Sequence, residues 1–145
     1  MIAVIQRVTK GSVWIRNNMV SEINHGMLIL LGIRRGDTMD QVKRLAQRCA
    51  NLRIFEDSAG KFNFALPDIG GAALVVSQFT LLADTSRGRR PSFTDAEKPE
   101  QSKLLYDAFI QHMMGCGIPT KAGVFGEHMR VCLDNDGPVT VILEE

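Results

Sequence analysis

The chain has 145 residues and a mass of 16.0 kDa, room for one domain that buries its own core without metal or disulfide staples. At 45% hydrophobic and 23% charged residues the composition is that of an ordinary globular protein, and no apolar run approaches the ~20 residues of a membrane span. A formal net charge of +1 leaves no global footprint for nucleic acid, so a polyanion would have to be met by local basic clusters. Such clusters stand at Arg34-Arg35, at Lys43, Arg44 and Arg48, and at Arg87, Arg89 and Arg90, while acids gather at Asp95 to Glu100 and at the C-terminal end.

The opening, Met1 to Arg7, has no basic segment followed by a long apolar one, and reads as a strand rather than an export signal. Apolar and polar residues partly alternate from Ile2 to Val8 and again from Ser12 to Ile15, which suggests two strand pieces broken at Lys10-Gly11. Asn17-Asn18 reads as a turn, Met19 to Ile23 as a short strand, Asn24-His25-Gly26 as a second turn, and Met27 to Ile33 as a central strand. Thr38-x-x-Gln41 is a capping box opening a helix to about Leu52, with Val42, Leu45, Ala46 and Cys49 as its buried stripe. Phe62 to Phe64 follows as a short strand, Pro67 to Gly71 as a loop, and Ala72 to Val76 as a buried strand. Thr94-x-x-Glu97 with Pro99 marks a second helix, its stripe Leu104, Leu105, Ala108, Phe109 and His112, ended by Gly115 and Gly117. Residues 117–126 read as irregular, and Met129 to Leu133 and Val139 to Leu143 as a last pair of strands. The fold class is α+β: a single domain with a mostly antiparallel, barrel-like β-sheet and two helices.

Cys49, Cys116 and Cys132 are odd in number and widely spaced, which fits small buried hydrophobes in a reducing cytoplasm better than a disulfide framework. His25, His112 and His128 lack metal-ligand spacing, so neither a metal nor a cofactor is expected. The polar run Ser77-Gln78-Phe79-Thr80 ends a buried strand, a place where a rigid element can fix reactive groups and where hydroxyls can equally satisfy local backbone. Asp136-Gly137 is an ordinary hairpin signal, but Pro138 removes a ladder donor and admits a cis bond, whose turn can present two carbonyls in one direction.

Ser77-Gln78-Phe79-Thr80-Leu81-x-Ala83-Asp84 and Asn135-x-Gly137-Pro138-Val139-Thr140 together resemble the paired motifs of the D-aminoacyl-tRNA deacylases. Ala3 to Val8 and Arg87-Gly88-x-Arg90-Pro91-Ser92-Phe93 are similar to that family as well, so the resemblance runs along the whole chain. It implies a homodimeric, cytoplasmic editing enzyme that hydrolyses the ester of D-aminoacyl-tRNA and spares L-aminoacyl-tRNA. In such an enzyme a cis Gly137-Pro138 bond of one subunit reaches the Ser77, Gln78, Phe79 and Thr80 site of the other, and Arg7 buttresses the turn.

A Ser or Thr nucleophile needs an adjacent base, and no histidine lies near either motif in sequence, although proximity in space stays open. Attack assisted by the ribose 2′-OH, with the backbone N–H of Phe79 facing the oxyanion, is therefore the expected route. If the carbonyls of Gly137 and Pro138 crowd the place of an L side chain, selection works by rejection, and glycyl-tRNA is hydrolysed too. Arg87, Arg89 and Arg90 either meet tRNA phosphates or solvate their loop. The rival readings are a small-molecule esterase with Thr80 or Ser77 as nucleophile and a purely structural dimerisation domain. A non-catalytic RNA-binding module fits poorly, because Trp14 and Tyr106 are isolated.

Overall fold

The alternating start of the chain forms one strand, β1 (Ile2–Ile15), where a break was expected. In the computed structural model, which describes residues 1–86 and 88–145, it is followed by β2 (Asn18–Ile23), β3 (Gly26–Gly32), α1 (Met39–Ala50), β4 (Phe55–Glu56) and β5 (Phe62–Phe64). Then come β6 (Ala72–Ser77), α2 (Pro99–Gly115), β7 (Thr120–Ala122), inside the stretch read as irregular, and β8 (Arg130–Glu144). Arg87 lies outside the described residues, so the arginine cluster is described only at Arg89 and Arg90, both exposed.

The main sheet runs β2-β1-β3-β6-β7, with β8 along the other edge of β1. It is mixed, not mostly antiparallel: β1 is antiparallel to β2, β3 and β8, whereas β6 is parallel to β3 and to β7. The cause is connectivity, since the link from β3 to β6 contains α1 and that from β6 to β7 contains α2, and each helix returns the chain to the end it left. The sheet curls until Cα atoms of β2 come within 8 Å of β7, a nearly closed barrel. Among the described residues no helix is long and apolar enough to cross a membrane.

The helices show where pattern reading holds and where it slips. Thr38 caps α1 as expected: its backbone N–H donates to Gln41 Oε1 at 2.8 Å, its hydroxyl accepts from Gln41 N, and Val42, Leu45, Ala46 and Cys49 are fully buried. Burial pushes the Cys49 thiol up to about 12, which makes it a hydrophobe rather than a nucleophile at neutral pH. Thr94, by contrast, caps nothing; Lys98 is the N-cap of α2 and Pro99 its first residue. The buried face is Ser102, Leu105, Tyr106, Phe109, Ile110 and Met113, while Leu104 is 61% exposed, so the expected stripe is displaced around the helix axis. The Tyr106 hydroxyl donates to the Val75 carbonyl at 2.8 Å and ties α2 to β6; burial holds its acidity well below that of free tyrosine.

β1 and β8 serve two cores. Ala3 and Ile5 face the helices together with Val141 and Leu143, whereas Val8 and Val13 face the barrel interior with Val131 and Leu133. A strand shows its odd residues to one face only, so the register has to change in between. It does: Gln6 pairs Thr140 and Val8 pairs Asn135, leaving residues 136–139 of β8 opposite the single residue Arg7. The last two predicted strands are thus one strand with an outward bulge, and Asp136-Gly137 is no hairpin turn.

Where β3 meets β6 the backbones almost touch: a Cβ on Gly26 would stand 1.9 Å from the Ala72 carbonyl oxygen. Gly26→Ala must push the two central strands apart, and we expect a loss of at least about 2 kcal/mol in urea unfolding. A loss below about 0.5 kcal/mol, the level of an ordinary surface change, would mean that the strands are not packed this closely.

Candidate active site

β6 ends at Ser77, and its ladder hands directly over to a tight turn. Gln78 N donates to the Leu31 carbonyl at 2.8 Å, and Phe79–Leu82 wind into a 3₁₀ turn lying over β3. Gly32 permits that approach, because a Cβ there would stand 3.2 Å from the Gln78 oxygen and from Leu81 Cβ. The Gln78 side-chain amide donates to the Thr80 hydroxyl. The Phe79 ring, 56% exposed, meets Phe93 edge-on at 5.0 Å.

Ser77, Gln78 and Phe79 form one side of a cavity of about 690 Å³, within the usual range for small-ligand sites. Phe93, Ala96, Glu97, Lys98 and Pro99 form a second side, and Phe125, Gly126, Glu127, His128 and Met129 a third. Thr80 does not line it. His128 does, which answers the question left open by the sequence: a histidine shares the cavity with Ser77 although 51 residues separate them. Nothing local marked the segment Phe125 to Met129 as part of a site; its place follows from β7 pairing parallel to β6, which brings the chain back over Val76. Among the described residues no group of three or more His, Cys, Asp or Glu is placed to hold a metal ion.

The second motif lies elsewhere on the chain. Gly137 and Pro138 are exposed on the bulge of β8, their peptide bond is cis, and Gly137 has φ +117°. Ser77 stands level with Leu31 and Ala3, whereas the bulge faces Arg7. Three strand spacings and four residues separate them, a distance of about 20 Å along the sheet. One chain therefore does not bring Gly137-Pro138 to its own Ser77.

Arg7 is where the bulge is held. Its side chain is buried, with Nε 3.0 Å from Asp136 Oδ2 and 3.3 Å from the Asp136 carbonyl oxygen. Nη1 donates to the Ile54 carbonyl at 2.8 Å and to Glu56 Oε1 at 3.3 Å, and the guanidinium lies 5.6 Å from the Phe62 ring centroid. A Cβ on Gly137 would come within 3.0 Å of Arg7 Nη2, so glycine is needed there for space as well as for its positive φ. From the other side Asn135 spans the bulge, its Oδ1 accepting from Val139 N at 3.2 Å and its Nδ2 donating to Thr140 Oγ1 at 3.1 Å. In the arginine loop, Asp84 accepts the Ser86 N–H at 2.9 Å, which holds its carboxyl below the usual range.

Comparison with known proteins agrees along the whole chain. Residues 4–144 match the family described as D-Tyr-tRNA(Tyr) deacylase. A D-aminoacyl-tRNA deacylase of Roseiflexus castenholzii is 55% identical over 144 residues, covering 99% of this chain and 92% of the relative. One of Cereibacter sphaeroides is 53% identical over 99% of both chains. Among solved structures, the c-Myc DNA unwinding element binding protein superposes with a TM-score of 0.93 at 38% identity, over 100% of this chain and 99% of that one. A probable eukaryotic D-amino acid tRNA deacylase, at 16% identity and a TM-score of 0.83, covering 98% of this chain and 97% of its own, shares the fold.

Removing the guanidinium strands Asp136 and the Ile54 carbonyl, which it links across two elements. Since Glu56 and Asp136 are 47% and 39% exposed, water takes up part of the loss. We expect Arg7→Met to cost about 1–3 kcal/mol in urea unfolding, and Glu56→Gln under about 1 kcal/mol; equal costs would place the main contact of Arg7 on Glu56.

Proposed function

The chain belongs to the D-Tyr-tRNA(Tyr) deacylase family, and we propose that it is a cytoplasmic editing enzyme hydrolysing the ester of D-aminoacyl-tRNA to free D-amino acid and tRNA. The observation that carries this reading is the cavity closed at one side by Ser77, Gln78 and Phe79, in a chain matched to the family from residue 4 to residue 144. An aminoacyl ester is activated already, so the site has to position it more than attack it. Phe79 is the first residue of its 3₁₀ turn, where a backbone N–H has no partner within the turn and is free to meet a developing oxyanion. Water, ordered by the ribose 2′-OH, adds to the ester carbonyl. The tetrahedral intermediate collapses by breaking the bond to the ribose 3′-oxygen, which leaves with the proton.

Thr80 suits the role of nucleophile poorly, because it lies outside the cavity lining and its oxygen already accepts from Gln78. That weighs against the small-molecule esterase reading. His128, although in the cavity wall, is exposed, and in this mechanism it contacts substrate without taking its proton.

Chiral selection we assign to the carbonyls of Gly137 and Pro138, supplied by a second copy, where they crowd an L side chain and leave a D side chain free. Glycine has no Cβ to exclude, so glycyl-tRNA is hydrolysed as well. The homodimer is supported by an apolar row on the sheet that is open at its β8 end: Ile142, half-buried Val4 and half-buried Leu30 pair across β8, β1 and β3 and lead to buried Val76, which lines the cavity. Ile142 is 61% exposed, an apolar position that a partner would bury. A copy seated there lies beside the cavity, and such an exchange would span the separation of about 20 Å between the bulge and its own Ser77.

Purified protein should hydrolyse D-tyrosyl-tRNA and glycyl-tRNA, spare L-tyrosyl-tRNA, and behave alike with and without chelator; equal attack on both tyrosyl esters would end the chiral reading. Thr80→Ala and His128→Ala should keep activity within about tenfold, where loss of a nucleophile or general base costs 10²–10⁴-fold. Substrate lacking the terminal 2′-OH should lose more than about 100-fold, and the opposite pattern would restore Thr80 as nucleophile.

Ile142→Glu places a charge at the open end of that row. Size-exclusion chromatography with light scattering should show a shift from dimer to monomer, with loss of deacylation while the fold persists by circular dichroism. An active monomer would refute the shared site.

A further inference from the structure

The wall of the cavity facing Ser77 is a segment without secondary structure of its own, residues 93–98, yet its position sets the width of the space. We propose that Glu97 is a positioning residue: its carboxylate clamps this wall to the loop Ile33–Asp37 and so sets the cavity to receive its substrate, an inference that rests on the reading above that the ester binds in this cavity.

The contacts are complementary. Glu97 Oε2 accepts the Gly36 N–H at 3.0 Å and Oε1 accepts the Lys98 N–H at 2.8 Å, so each oxygen binds one side of the junction. Two backbone bonds run beside them, Arg35 N to the Asp95 oxygen at 2.8 Å and Glu97 N to the Ile33 oxygen at 3.0 Å. The loop itself is anchored, because Asp37 accepts from Arg34 N at 2.6 Å and from the Met1 ammonium at 3.0 Å. The wall is thereby fixed to something rigid. Lys98, the N-cap of α2, has no side-chain cap of its own, and the Glu97 carboxylate, bonded to the Lys98 N–H, stands beside the positive end of that helix. The Gly36 and Lys98 N–H groups hold the carboxyl below the usual range, so it is ionised at neutral pH.

The consequence for the cavity follows from what the wall carries. Phe93, Ala96, Lys98 and Pro99 line the cavity together with Glu97 itself, whose two carboxylate oxygens are taken up by the Gly36 and Lys98 N–H groups, and the Phe93 ring bears on Phe79. Glu97 belongs to neither hydrophobic core, so its removal empties no part of them and its effect on substrate binding is separable from folding.

The test compares Glu97→Ala and Glu97→Gln in the full chain, with D-tyrosyl-tRNA kinetics and NMR amide exchange. Alanine should raise KM about five- to twentyfold with kcat within about twofold, the mark of binding lost equally from ground and transition state. Glutamine, which keeps one acceptor oxygen of the two, should fall between. In Glu97→Ala exchange at both Gly36 and Lys98 should quicken, and in Glu97→Gln at only one of them, while Val75 in β6 stays protected; the cross-relaxation between the Phe79 and Phe93 rings should weaken in Glu97→Ala. In Glu97→Ala, a KM within twofold of wild type despite faster exchange would overturn the positioning role, as would unchanged exchange at Gly36. Wild-type protein inert towards D-tyrosyl-tRNA would overturn the functional reading alone; exchange and ring contact, read without substrate, then decide whether Glu97 holds the wall, and an undisturbed ring contact in Glu97→Ala would overturn that.

Discussion

The pairing of β1 with β8 is the constraint on which the rest of the structure depends. It runs from Ile2 opposite Glu144 to Trp14 opposite Arg130, and no local signal could have specified it, because the partners are the two ends of the sequence. With this pairing in place, the other edge of β1 is divided between β3 and β2, and the sheet must curl. The mismatch at Arg7 then has two effects at once. It lets one strand pair serve both cores, and it expels Asp136, Gly137 and Pro138 from the sheet plane. The exposed turn of the second motif is thus what remains when two registers, each dictated by burial, are joined in one strand. Arg7 fills the gap and is buried because a single residue has to face four.

The parallel half of the sheet does the complementary task. Parallel strands covered by helices are buried on both faces and read as continuous apolar runs, and Met27 to Leu31 and Ala73 to Val76 are runs of that kind, fully buried except at Leu30. The motif Ser77 to Thr80 follows immediately where such a strand ends, so its backbone is set by a ladder that cannot shift without moving the core. Ligand sites at the C-terminal ends of parallel strands are a general consequence of this geometry. Here the sites of the two motifs differ in kind: one is the end of a fixed strand, the other an outgrowth of an edge strand.

What was legible in the sequence follows the range of the interactions. α1 was readable nearly residue by residue, because its cap lies three residues from its partner and its stripe repeats at helical spacing. The stripe of α2 was misplaced because the helix buries polar Ser102 and half-polar Tyr106, whose partner is a carbonyl of β6, a preference that no hydropathy pattern contains. The parallel pairing was missed although the apolar runs signalled it, since short antiparallel strands earlier in the chain set the wrong expectation. Ser77, Gln78 and Phe79 were found as a cluster because they are contiguous, while Glu97, Phe125 and His128 enter the same cavity from segments whose own spacing carries no chemistry. Thr94-x-x-Glu97 had the form of a capping box, yet Glu97 turns to Gly36, a donor 61 residues away, instead of closing on Thr94.

These two kinds of anchoring bear on how a small domain can discriminate by exclusion. A recognising side chain can lean about 30° out of its rotamer at a cost of roughly 0.5–1.5 kcal/mol, too little to reject a substrate that differs only in handedness. Backbone atoms held on both sides have no such freedom. The bulge at Gly137 is gripped by Arg7 from one side and by Asn135 from the other, and the turn at Gln78 is bonded to Leu31 and seated over Gly32. The parts of the cavity contributed by side chains, Phe93, Phe125, His128 and Met129, are the ones that could adapt to different amino acids if the proposed substrate binds there. Under the proposed function, strictness towards one stereocentre combined with tolerance towards side chains would follow from setting backbone held like that of the bulge against a wall of adjustable side chains.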